Sequence, residues 1–88
     1  MNKFLDEMEG AKISRAENGK AYLVERENTI EVRVPKELKE FLIEKYETVM
    51  ESRYFGRGGV EIVLGQMGEE DVADLIRMSR DLTGKNDF

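Results

Sequence analysis

The sequence predicts an α+β fold: a two-layer sandwich in the order α-β-β-β-α-β-α, with a mostly antiparallel four-stranded sheet and helices on one face. Three observations carry that reading. An Asn18-Gly19 dipeptide sits between two β-prone runs, TIEVRVP alternates cleanly, and two segments, 36–53 and 69–83, carry apolar residues at helical spacing. At 88 residues the chain makes one domain, 1–88, of a size that buries a modest fraction of its surface. A second copy or a tight partner would add buried area, so a homodimer or a partner-bound state is expected.

Taken in order, Asn2 is placed to cap a short helix over 2–9, with Phe4, Leu5 and Met8 on one face and Gly10 as its stop. A hairpin and a third strand fill 11–34. AKISRAE runs into Asn18-Gly19, the strongest short hairpin signal, and KAYLVERE returns. Tyr22, Leu23 and Val24 form an unbroken apolar run, which places that strand inside the sheet. Glu27-Asn28 makes the next turn. In TIEVRVP, Ile30, Val32 and Val34 face one way and Thr29, Glu31 and Arg33 the other, the pattern of a half-buried strand.

Pro35 suits the first position of a helix, where its missing N–H costs nothing, and the spacing predicts a long helix over 36–53. Its buried face is expected to contain Leu38, Phe41, Leu42, Lys45, Val49 and Met50. Electrostatic support along it is poor, because Glu40–Glu44 and Glu47–Glu51 are like-charged i,i+4 pairs. A fourth strand over 60–64 points Val60, Ile62 and Leu64 inward. The last helix, 69–83, carries Glu69, Glu70 and Asp71 in its first turn and Arg77 and Arg80 later, the order its dipole prefers. Val72, Leu75, Ile76, Ser79 and Leu82 give it a buried face, Gly84 is the expected stop, and the tail KNDF follows.

Composition narrows the chemistry. There is no cysteine and no histidine, so thiolate catalysis, disulfides, a cysteine zinc site and the usual general base are all missing. The expectation is therefore no enzyme, no cofactor and no metal. With 14 basic against 19 acidic residues the net charge is −5, and residues 69–88 alone contribute −3 (3 basic, 6 acidic). Negative charge opposes nucleic acid and favours basic protein partners. The opening MNKFLDEMEG is too acidic for a signal peptide and no run is long and apolar enough to span a bilayer, so a cytoplasmic protein without membrane contact is expected.

Three constellations invite a functional reading. GQMG stands between a strand and a helix, where a phosphate-binding turn would stand, but three carboxylates follow at once and no lysine does. Glu69, Glu70, Asp71 and Asp74 cluster on the last helix; such a group serves the dipole and offers an acidic surface to a partner. The third is RYFGRGGVEIV, Arg53 to Val63. Its glycines, Gly56, Gly58 and Gly59, are expected to take positive φ and reverse the chain between the long helix and the fourth strand. Arg53, Tyr54, Phe55 and Arg57 then stand together in a segment poor in acids, with the composition of a binding hot spot.

The segment TIEVRVPKELKEFLIEKY resembles the opening of ribbon-helix-helix repressors over about 18 residues, a strand followed by a helix through a proline. That resemblance implies a dimeric DNA-binding regulator with Thr29, Glu31 and Arg33 reading bases. The residues favour a different first reading: a non-enzymatic, acidic protein-binding module. Its sharper form is a phage-type inhibitor or accessory factor that occludes a basic surface of a nucleic-acid-processing protein. Its contact residues are expected to be Arg53, Tyr54, Phe55, Arg57, Glu69, Glu70, Asp71 and Asp74.

Overall fold

The computed structural model describes residues 10–86; the helix expected over 2–9 and the end of the tail lie outside them. Five strands and two helices follow one another: β1 (Lys12–Arg15), β2 (Ala21–Glu25), β3 (Thr29–Arg33), α1 (Lys36–Lys45), β4 (Met50–Ser52), β5 (Gly56–Val63) and α2 (Glu69–Lys85). The sheet order is β1-β2-β3-β5-β4, and every neighbouring pair is antiparallel. The α+β class is as expected, but the sheet has five strands instead of four.

The extra strand comes out of the predicted long helix. Instead of running over 36–53, α1 stops at Lys45, where Tyr46 turns extended (φ −115, ψ 120) while its N–H still bonds the Leu42 carbonyl. Met50, Glu51 and Ser52 then pair with Glu61, Val60 and Gly56 of β5. Local propensity favours helix here, since no glycine or proline intervenes. The β-branched Thr48-Val49 pair and the like-charged glutamates weaken that preference, and burial of Val49 in the core outweighs the rest. Burying such a side chain contributes roughly 1.5–3 kcal/mol, more than several residues of helix propensity combined. As a result Met50 and Phe41, expected inside, stand 49% and 53% exposed.

Other boundaries shift for local reasons. The β1–β2 hairpin uses a three-residue loop closed by Ala16 N–H to Lys20 carbonyl and Gly19 N–H to Ala16 carbonyl, with Gly19 alone at positive φ. β5 begins at Gly56, four residues before the strand expected over 60–64, and Leu64 lies outside it, exposed. α2 runs through Gly84 to Lys85 and is closed by Asn86 in the left-handed region, its N–H bonding the Leu82 and Thr83 carbonyls. The Asn18 side chain donates to the Thr83 carbonyl at 2.9 Å, tying the hairpin tip to the end of α2.

Both helices pack on one face of the sheet. Leu23, Ile30, Val32, Val34, Val60 and Ile62 from the strands meet Leu42, Val49, Met67 and Leu75 there. The other face is also buried at its centre, which the half-buried alternation did not anticipate: Val24, Glu31 and Glu61 have almost no exposure. β3 is paired along both edges and Glu31 is fully buried, so Thr29, Glu31 and Arg33 do not stand on a free ribbon. The ribbon-helix-helix likeness therefore extends no further than the order strand, proline, helix. Among the described residues no helix is long and apolar enough to cross a membrane.

Candidate functional site

Arg53, Tyr54 and Phe55 of the RYFGR segment are the turn of the β4–β5 hairpin, not a bend between helix and strand, and Gly56 and Arg57 open β5. Its conformation is set from below by Glu31. The Glu31 carboxylate accepts hydrogen bonds from the Ser52 hydroxyl at 2.6 Å, the Tyr54 N–H at 2.7 Å and Arg26 Nε at 2.5 Å. Ser52 Oγ in turn accepts the Phe55 N–H at 2.8 Å. Burial alone raises the Glu31 pKa, but the bonds from Ser52, the Tyr54 amide and Arg26 together outweigh it and hold the group below the ordinary carboxylate value. The turn is thus built on an ionised, fully bonded carboxylate.

Arg53 is not a cation waiting for a partner molecule. Its guanidinium forks onto Glu61 at 2.9 and 2.7 Å, so β5 supplies the acid that the local sequence lacks. Tyr54 and Phe55 stack edge to face with centroids 5.0 Å apart, and both are half-buried. Of the three glycines only Gly56 takes positive φ (+61). Gly59 serves close approach instead, since a Cβ there would lie 2.4 Å from the Val32 carbonyl oxygen and 2.9 Å from Phe55 Cβ. The segment is accounted for by folding, and Arg57 is its one fully exposed candidate apart from the paired Arg53.

The acidic candidates lie on the other side of the sheet. Glu69, Glu70, Asp71 and Asp74 are all exposed on α2, and Asp74 is ion-paired with Arg77. Among the described residues no group of three or more acidic side chains is placed to hold a metal ion. Arg53–Phe55 and the acidic cluster therefore form separate surfaces.

Sequence reasoning did not find what the acidic residues border. Between α1 and α2 runs a groove of about 380 Å³ whose floor is Leu42, Tyr46, Met67, Leu75 and Met78. Phe41 stands half out of one wall, and Asp71 and Asp74 supply carboxylates on the other. The Lys45 ammonium lies over the rings of Phe41 and Tyr46, 5.5 and 5.3 Å from their centroids, so these aromatic faces are already able to hold a cation. The signal was present in Phe41 and Tyr46, five residues apart across the end of a helix whose apolar rhythm breaks at Lys45. The network under the turn also had a signal: Ile30-Glu31-Val32 and Val60-Glu61-Ile62 repeat one motif, a glutamate clasped by β-branched residues in mid-strand.

No family model, no curated protein and no solved structure matches this chain. What it does has to be argued from its own surfaces.

Proposed function

We propose that this chain is a non-enzymatic binding module that occupies a basic surface of a larger protein, with the groove between α1 and α2 as its docking face. The observation that carries the reading is the meeting of an exposed phenylalanine with two carboxylates across an apolar floor. Phe41 offers an anchor that gains affinity only on being covered, and Asp71 and Asp74 select a partner that brings lysine or arginine beside its apolar residue. Breaking the exposed Asp74–Arg77 pair to meet such a partner costs little. The absence of histidine and cysteine from the sequence points the same way, toward contact and not catalysis. In its sharper form the module is an inhibitor or accessory factor that covers the basic channel of a nucleic-acid-processing protein, its carboxylates standing where phosphates would. Such binding is fast at low salt and weakens as salt rises.

The test is a paired capture. Wild-type protein and a Phe41→Ser/Asp71→Lys variant are presented to the same lysate, and proteins held only by the wild type are identified and purified. The expected partner has a basic face and binds the variant more weakly by over about 2 kcal/mol. A partner held equally by both proteins would remove the groove from the reading.

A further inference from the structure

A departure from the molecule's overall charge lies away from the groove, where the start of α1 meets β3 and the β4–β5 hairpin. There a recess of about 560 Å³ gathers Arg33, Lys36, Lys39 and Arg57 against only Glu40 and Glu51. Four positive charges less two negative leave +2 on one concave surface of a chain whose total is −5. It shares no lining residue with the groove.

We propose that this recess binds a phosphoryl group of a small ligand. Its volume falls in the range of roughly 300–1,000 Å³ typical of small-molecule sites. An anion already occupies part of it: the Glu51 carboxylate sits 2.8 Å from Lys39 Nζ, and that ammonium also donates to the Arg57 carbonyl at 3.3 Å. Glu51 is otherwise exposed, and the hydrogen bond and charge of Lys39, followed by the charge of Arg57, favour its ionised form. It behaves as a resident carboxylate that a phosphate, carrying more charge and more acceptor oxygens, displaces. Arg57 brings a planar fork suited to two phosphate oxygens, while Lys36 and Lys39 act as point charges. The positive end of the α1 dipole lies at Lys36 and adds to the same field, with Glu37 the one acid in that first turn and not among the residues lining the recess. The start of α2 is more acidic, with three carboxylates in its first turn.

The experiment follows backbone amides by NMR while inorganic phosphate, pyrophosphate, ADP or a single-stranded DNA oligonucleotide is added at constant ionic strength. Saturable shifts are expected at Lys36, Lys39, Arg57 and Gly58. Glu51→Gln should tighten binding several-fold, and Lys36→Glu/Arg57→Glu should weaken it at least about tenfold, which corresponds to about 1.4 kcal/mol. Native shifts at amides outside the recess, such as those of Val24, Ile62, Leu75 and Ser79 in the core, report that each variant keeps its fold; Arg57→Gln alone, a change at an exposed side chain, repeats the test if the double variant does not. Tighter binding of ADP than of pyrophosphate assigns a nucleotide, and equal binding assigns a free phosphate. The proposal fails if these amides do not saturate below ~10 mM pyrophosphate, beyond the millimolar range of a weak specific site. It fails equally if the shifts survive the double substitution, or if only the oligonucleotide produces them.

Discussion

Glu31 and Glu61 face each other as register partners on β3 and β5, with both carboxylates buried. Two like charges so placed repel strongly where water is excluded, and the fold answers each with an arginine from a different turn: Arg26 before β3 for Glu31, Arg53 after β4 for Glu61. An apolar pair of similar volume at these positions costs less to bury. What the charged arrangement supplies is an anchor for the β4–β5 turn, because Glu31 and Ser52 between them bond two successive backbone N–H groups, those of Tyr54 and Phe55. A three-residue edge strand, too short to hold a hairpin by its own ladder, is fixed in this way.

Removing the anchor should therefore cost more than removing any one of its bonds. Glu31→Ala leaves the Tyr54 N–H, the Ser52 hydroxyl and the largely buried Arg26 guanidinium without this acceptor, and a loss of about 3–5 kcal/mol in unfolding free energy is expected. Ser52→Ala removes one donor and one acceptor and should cost about 1–2 kcal/mol. Urea unfolding measures both. Equal losses would mean that the carboxylate is not the centre of the network.

The same carboxylate gives stability a sign with respect to pH. The folded-state pKa of Glu31 lies below its ordinary value of 4.5, so folding favours the ionised form. Its contribution is complete above that ordinary value and is lost as pH falls from there through the lower, folded-state pKa. Unfolding free energies followed downward from pH 7 should stay level with respect to this group and then fall below about 4.5, and Glu31→Gln should flatten that limb. Parallel acid limbs in the two proteins would show that other groups set it.

Gly59 allows a sharp comparison within one strand. A Cβ at Gly59 meets backbone oxygen at 2.4 Å, which no side-chain rearrangement relieves, whereas a Cβ at Gly58 meets the Phe55 carbonyl oxygen at an ordinary 3.5 Å. Gly59→Ala should destabilise by roughly 1–3 kcal/mol, as overpacking does, and Gly58→Ala by much less. Thermal melts of the two variants decide it, and similar midpoints would mean that β3 and β5 separate easily at Val32.

How far the sequence foretells this molecule depends on whether neighbours or distant residues decide each element. The Asn18-Gly19 hairpin, the TIEVR strand and the acidic start of α2 follow from turn chemistry, alternation and the helix dipole, and they stand close to where those signals put them. Residues 46–52 do not, because their strand exists only through pairing with β5, and helix-prone side chains gave no local warning beyond Thr48-Val49. The candidate contact residues divide in the same way. Asp71 and Asp74 border a groove, but Arg53 is taken up by Glu61 from a strand eight positions away. Nothing short of the register of β4 on β5 could have revealed that pairing.

The division of labour between turn and groove is open to one direct contrast. Tyr54 is half-buried and packed edge to face on Phe55, so Tyr54→Ala should lower stability by about 1–3 kcal/mol, from lost area and ring contact. Phe41 is 53% exposed, and Phe41→Ser should leave the melting midpoint nearly unchanged while weakening partner binding by over about 2 kcal/mol. Arg57→Ala, at an exposed side chain, should change neither stability nor groove binding appreciably. Differential scanning calorimetry beside a binding isotherm for each variant gives both numbers. If Tyr54→Ala lost the partner with its midpoint intact, and Phe41→Ser did not, the contact surface would lie on the turn after all, and the groove would be only the seam between two helices.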